Sequence, residues 1–168
     1  MIFDNKKSTI DDVIEIMTRG PWKTKSEANL YVLFSFSYNS ALKYLEYDEK
    51  ELLEIPDDIR GLRSYIIDNL KKDSVGGLEF HKIRKELFYV IKGTVELNLE
   101  DMNGNKKTLT LDAPRGIYIP PYIMHTYKIK EDDSIILCVA NTLFNPEDRR
   151  THDTYSKEDF DQLKKINK

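Results

Sequence analysis

The chain has a single cysteine among 168 residues, so no internal disulfide can brace it. That residue, Cys138, lies inside the apolar run SIILCVA, where burial leaves a thiol inert. Nowhere do about 18 apolar residues run together, and the opening MIFDNKKSTIDD lacks the apolar heart of a signal peptide. The expectation is a cytoplasmic protein. Charge of one sign is also missing: 26 basic and 29 acidic residues leave a formal charge of -3, and no stretch gathers Lys and Arg into the stripe that a nucleic-acid backbone demands. There is no internal repeat and no low-complexity segment. What remains, 40% hydrophobic residues, suffices for one sizeable core and is too little chain for two ordinary domains.

Residues Thr9 to Met17 place Ile10, Val13, Ile14 and Met17 at spacings of three and four, with Ser8 or Thr9 as cap and Gly20-Pro21 as terminator, which predicts a short amphipathic helix. The aromatic and β-branched run ANLYVLFSFS from Ala28 tips towards strand. Residues Ser40 to Leu53 read as alternating or helical depending on the window, and EYDEKELLEI supplies the charge of a solvated face rather than of a site. From Ile59 the period becomes two. Short segments (IRGLRSYIIDN, KELFYVIKG, TVELNLEDMNGN, KKTLTLDAPRG, IYIPP, HTYKIKEDD, SIILCVANT) follow one another between turn signals at Gly93, Asn103-Gly104 and Pro114-Arg115-Gly116. This reads as an all-β meander closing into a sandwich or barrel. In TVELNLE, Val95, Leu97 and Leu99 alternate with Glu96, Asn98 and Glu100, one face buried and one wet. The polar tail after Asn141 offers only Phe144, Tyr155 and Phe160 for burial and a final helix from Ser156.

Chemistry concentrates in GGLEFHKIRKELFYVIKG and GIYIPPYIMH. On a strand, Glu79 and His81 project from one face while Phe80 points away. Glu86 begins the next extended run and His125 follows the double proline, so four groups able to handle protons or metal converge if a barrel forms.

His81, Glu86 and Gly93 fall at the spacings of the first cupin motif, with Glu79 in place of the first histidine of its pair; Gly116, Pro120 and His125 resemble the second. More closely, Ile55 to about Phe160 resembles the sugar 3,4-ketoisomerase family, cupins acting on a thymidine-diphosphate 4-keto-6-deoxyglucose. IPDDIRGLRSYII, EFHK with Gly93 following, LDAPRGIYIPPYIMH and ILCVANTLFNPED carry the likeness. The resemblance implies an antiparallel cupin barrel (double-stranded β-helix, jelly roll) over residues 55–168 with its tail, a short helical extension over 1–54 packed on the barrel, and a dimer with strands crossing between subunits. It implies an isomerase without cofactor or metal, serving deoxysugar and surface-polysaccharide synthesis. The family's Arg-Gly-x-His-Ala-His-Lys reads Gly76-Gly77-Leu78-Glu79-Phe80-His81-Lys82 here, so the arginine and one histidine are replaced.

Moving a ketone from C4 to C3 requires taking the C3 proton, holding an enediolate and returning a proton to C4. An unperturbed imidazole can accept and give a proton at neutral pH, which suits His81 to this work, and Glu79 replaces the lost histidine if Leu78 and Met124 give it an apolar surround. Arg63, Tyr65, Lys82 and Arg115 are candidates for diphosphate and sugar, Tyr118 or Tyr127 for stacking on the base, and Glu86 and His125 complete the substrate-binding set. Two alternatives stand beside this: a non-catalytic cupin that binds a nucleotide-sugar or sugar, and a metal-dependent cupin enzyme using Glu79, His81, Glu86 and His125. His152 is given no role.

Overall fold

The structure, a computed structural model, describes residues 7–35 and 44–166. In chain order its elements are β1 (Ile14–Ile16), β2 (Arg19–Lys23), β3 (Asn29–Val32), α1 (Glu49–Glu54), β4 (Arg60–Leu70), β5 (Val75–Phe80), β6 (Glu86–Lys92), β7 (Thr94–Glu100), β8 (Lys106–Asp112), β9 (Arg115–Ile119), β10 (Met124–Ile129), β11 (Ser134–Thr142), β12 (Tyr155–Ser156) and α2 (Lys157–Ile166). None of the described helices is long and apolar enough to cross a membrane.

Two five-stranded antiparallel sheets carry the core, one ordered β1-β9-β6-β11-β4 and the other β12-β5-β10-β7-β8. Among the strands of these sheets only β7 and β8 are both sequence neighbours and partners, so the meander is corrected to jelly-roll connections in which the chain passes from sheet to sheet. The cause lies in the strands themselves. β6 is buried at all of its first five residues, and a strand without a wet face belongs in the middle of a sheet, paired on both sides. The fold is that of the cupins, built as two facing sheets rather than one closed barrel.

Between the sheets Val95, Leu97, Leu99, Leu111, Ile117, Ile119, Ile129, Ile136 and Cys138 form the main cluster. The alternation read in β7 is present, with Val95, Leu97 and Leu99 inward and Asn98 in solvent. Each such large aliphatic side chain contributes roughly 1.5–3 kcal/mol on burial. Gly93 takes φ 80° between β6 and β7, and a Cβ there would sit 2.1 Å from Ser134 Oγ, so the turn requires glycine on two counts.

The helix expected over Thr9 to Met17 is absent. Ile10–Asp12 makes one 3-10 turn, closed by Thr9 and Asp12, and the chain then extends as β1 against Gly116–Tyr118 of β9. Edge pairing wins because it buries Ile16 outside the first sheet while Ile10 and Val13 reach the main core. The strand expected from Ala28 is β3; residues 36 and 37 of that run, like 40–43 of the next, lie outside the described residues. The charged segment beyond them forms α1, opened by a reciprocal Asp48–Glu51 cap. Glu51 is not on a solvated face: it is buried and bonds Lys85 at 2.8 Å.

Leu33, Phe34, Tyr44 and Leu45 cover Leu87, Tyr89 and Tyr118 on the outer face of the first sheet, so the amino-terminal region roofs that sheet. The final helix from Ser156 is present, anchored by Phe160 against Phe80 at 5.2 Å. Phe144, expected to be buried with it, is half exposed and stacks on His152.

Candidate active site

β5 and β10 pair with Glu79 opposite His125, and Gly77 at φ 74° lets β5 come within 2.8 Å, Cβ position to oxygen, of the His125 carbonyl, closer than any side chain permits. The register shifts between His125 and Thr126, and His125, which also pairs with the inward-facing Leu99 of β7, is buried. His81 lies one residue past β5, where the Tyr122 amide donates to its carbonyl at 2.7 Å. Glu86 opens β6. Glu79, His81, Glu86 and His125 therefore converge as expected. His81 Nε2 and His125 Nε2 each lie 3.9 Å from Glu79 Oε1, His81 Nε2 lies 3.6 Å from Glu86 Oε2, and the imidazole centroids are 5.2 Å apart.

Backbone carbonyls set the state of both imidazoles. His81 Nδ1 meets the Asp153 carbonyl and His125 Nδ1 the Ile123 carbonyl at 3.1 Å. A carbonyl only accepts, so each Nδ1 carries hydrogen and each Nε2 is the atom that gains or loses a proton. Burial, then the neighbouring His81, pushes the His125 imidazole below its ordinary range. Burial alone would raise the Glu86 carboxyl, but His81, His125 and Arg84 outweigh it and hold the group ionised well below the usual carboxylate range. Glu86 Oε1 accepts from the Tyr65 hydroxyl at 2.9 Å and from Arg84 Nη1 at 3.3 Å. The Tyr65 phenol is pushed up by burial and by that carboxylate, and the buried Cys138 thiol by its enclosure, as the inert reading of Cys138 required. Glu79 is the most open of the four, with a third of its side chain exposed. Met124 beside it is buried, whereas Leu78 takes φ 62° and turns outward.

The other named residues divide. Arg63 and Tyr65 point inward from β4 and line, with Arg84 and Phe144, a cavity of about 420 Å³. Lys82 turns away, its Nζ 4.1 Å from the Tyr155 ring centre. Arg115 sits at the far end of β9, paired to Glu15 at 2.8 Å, and Tyr118 lies under the amino-terminal cover. Tyr127 is a packing residue, its ring 6.1 Å from Phe88 and filling the space over Gly76. The structure does not bring Lys82, Arg115 or Tyr118 to the site, because strand alternation and position along β9 send them elsewhere.

Two residues were missed. Arg84 is buried, with Nη1 3.3 Å from His81 Nε2 as well as from Glu86. Its position in the bend between a histidine and a fully buried strand was the available signal. Asp153, buried in the tail, accepts from the amides of Lys82, Ile83 and Arg84 at 2.7–2.9 Å, and no local pattern announces it.

Among the described residues Glu79, His81 and His125 offer one ligand atom each within 4.8 Å of one another, the set that would hold a metal in this fold. Arg84 Nη1, 3.3 Å from His81 Nε2, sets a positive charge beside that set.

Two facing jelly-roll sheets with an enclosed pair of imidazoles and two carboxylates at one end define a cupin with an acid-base site. Residues 37–159 match the family model described as FdtA, WxcM-like, C-terminal, and the chain belongs to that family. No curated protein sequence matches the chain. Among solved structures it is similar to QdtA, a sugar 3,4-ketoisomerase from Thermoanaerobacterium thermosaccharolyticum in complex with TDP, at 21% identity over 92% of this chain and 94% of that one, TM-score 0.58. It is similar to the WlaRB TDP-quinovose 3,4-ketoisomerase of Campylobacter jejuni, at 14% identity over 93% and 99%, TM-score 0.65. A dTDP-4-dehydrorhamnose 3,5-epimerase from Bacillus anthracis, with TDP and PPi bound, aligns at 11% identity over 90% and 81%, TM-score 0.62.

Proposed function

We propose that the protein is a nucleotide-sugar isomerase that moves the keto group of a thymidine-diphosphate 4-keto-6-deoxyhexose from C4 to C3, in the making of a deoxysugar for surface polysaccharide. The carrying observation is that both buried imidazoles are pinned at Nδ1 by backbone carbonyls and turn Nε2 towards the Glu79 carboxylate. Such fixed tautomers are what repeated proton transfer at one carbon pair needs. In this reading His81 Nε2 takes the C3 proton, leaving an enediolate. Glu79, the exposed member, or His125, held neutral by burial, handles the proton at C4 and at the oxygens. Glu86 stays charged and holds His81 and Arg84 in place. The structures bound to TDP and TDP-sugar in the same fold support the ligand class. The reading keeps the protein cytoplasmic and dimeric, with residues 1–54 as an embellishment of the domain at 55–168, and without a metal.

Proton NMR of the protein with thymidine-diphosphate 4-keto-6-deoxyglucose in heavy water tests this. Deuterium entering at C3 supports it, even if turnover stops there. A proton at C3 untouched after prolonged incubation, with nucleotide bound, points to a non-catalytic nucleotide-sugar-binding cupin.

A further inference from the structure

The amino-terminal extension converges on one bend of the site. That bend, residues 82–85, joins His81 to Glu86, carries Arg84 and lies outside both β5 and β6. Each of its amides is taken by a side chain: Asp153 accepts from Lys82, Ile83 and Arg84, and Asn141 Oδ1 accepts from Lys85 at 2.8 Å. Asn141, 1% exposed near the end of β11, also donates its own amide to the Lys85 carbonyl at 3.2 Å. Its remaining groups face the extension, Nδ2 donating to the Leu45 carbonyl at 3.3 Å and the carbonyl accepting from the Tyr47 hydroxyl. Lys85 reaches the same segment with its side chain. Its Nζ donates to the Glu46 carbonyl, pairs with Glu51 Oε2 at 2.8 Å and lies 5.6 Å from the Tyr47 ring centre. Only 14% of the Lys85 side chain and 10% of that of Glu51 meet solvent, so either charge left alone in this enclosure would be costly. Glu51 is held in turn by its reciprocal cap with Asp48 at the start of α1.

We infer that residues 45–51 are a clamp on the active-site bend, with Lys85 and Asn141 as the positioning residues through which the extension sets the places of Arg84 and Glu86. Lys85 stands between those two in the chain. With its amide and its carbonyl both bonded to Asn141 and its ammonium bonded to the extension, it cannot turn without displacing the residue on either side. Both neighbours act at one atom: Glu86 Oε2 lies 3.6 Å and Arg84 Nη1 3.3 Å from His81 Nε2. Displacement of about 1 Å there breaks such contacts and costs up to about a hundredfold in rate. The cavity beside the imidazoles is lined by Arg63, Tyr65, Arg84 and Phe144 and by no residue of the clamp, so the clamp acts on the chemical step rather than on binding. The expected rates rest on the isomerase reading, whereas the positioning of His81's neighbours does not.

Imidazole proton–nitrogen NMR of the full chain, together with C3 exchange of thymidine-diphosphate 4-keto-6-deoxyglucose in heavy water, tests it. The chain has three histidines, and His152, exposed in the tail, serves as the reference. Lys85→Met keeps the packing of the stem and removes the ammonium. It should move the His81 ring signals, lower kcat for exchange by about tenfold or more and leave KM within about twofold. Lys85→Arg keeps the charge and the donors and should restore both readouts. Lys71→Met breaks the exposed Lys71–Asp133 pair before the start of β11 and should behave as the parent. If Lys85→Met fails to fold, Glu51→Gln, which keeps the shape and drops the charge, takes its place and should move the same signals. His81 signals and kcat like the parent's in that variant, or an equal change in Lys71→Met, overturn the clamp and leave the isomerase reading untouched. A raised KM at unchanged kcat overturns it as well. If the parent shows no exchange while Lys85→Met moves the His81 signals and Lys71→Met does not, the clamp stands and the isomerase reading falls.

Discussion

Gly76 and Tyr127 share one volume: a Cβ placed on Gly76 would lie 2.2 Å from Tyr127 Cζ. The two residues face each other across β5 and β10, so neither strand can yield without breaking the ladder that sets Glu79 opposite His125. Putting the family's arginine back by Gly76→Arg should therefore lower stability by roughly 1–3 kcal/mol through overpacking and leave isomerase activity no better. Gly76→Arg combined with Tyr127→Ala should recover much of the stability. Denaturant unfolding of the three proteins decides, and a Gly76→Arg protein as stable as its parent would show that Tyr127 swings aside.

Glu79 and His81 are separable by substitution. His81→Asn should abolish exchange at C3, because it removes the titrating Nε2 while keeping polarity and approximate size. Glu79→Gln should slow exchange and change its pH profile, since a carboxylate is lost from between the two imidazoles. Glu79→His should raise the rate if that substitution alone limits it. Exchange at the parental rate in His81→Asn would remove His81 as the base.

Acid should weaken the fold in two stages. The His125 pKa is lowered from 6.5 by burial and by His81, with Glu86, Glu79 and the Ile123 carbonyl the other groups facing it. Below its unfolded value the unfolded chain binds more protons, so stability falls as pH drops beneath about 6.5 and is unaffected by this group above it. Glu86 has its pKa depressed, so its contribution is complete above about 4.5 and is lost as pH falls further. Urea unfolding between about pH 7.5 and 5 should show the first loss, and His125→Gln should flatten it. A parental stability constant over that range contradicts the assignment.

Tyr65→Phe removes a hydroxyl that donates to a buried, ionised Glu86 at 2.9 Å. The loss should be about 1.5–3 kcal/mol, seen as a fall of several degrees in Tm, with the fold otherwise intact. No change in Tm would mean that Arg84 alone satisfies that oxygen.

Arg84 beside His81 leads to a chemical test of the metal alternative. The purified protein should carry well below one equivalent of transition metal and keep exchange activity in chelator. Stoichiometric metal, with activity lost on its removal, would make Glu79, His81 and His125 ligands instead.

The core and most of the site could be read in advance because both obey local rules. Alternation in β7 announced a half-buried strand, and two-residue spacing put Glu79 and His81 on one side. What escaped depends on pairing between distant strands. Whether Ile14 and Ile16 belong to a helix or an edge strand is decided by β9, about a hundred residues on. Arg115 and Tyr118 were plausible ligand residues by type, yet position along β9 sends one to the opposite end and its pleat turns the other outward. Arg84 was visible as an arginine and invisible as a site residue, since only the closing of the bend onto Asp153 swings it inward.

Asp153 gives the tail authority over chemistry to which its side chain contributes nothing directly. Its carboxylate gathers three successive amides of the bend after His81, and its carbonyl takes the His81 Nδ1 hydrogen across 72 residues of sequence. The bend that carries Arg84 and the hydrogen on His81 Nδ1 are thus fixed by a residue beyond the last core strand, so a substitution in the polar tail reaches the site without touching it.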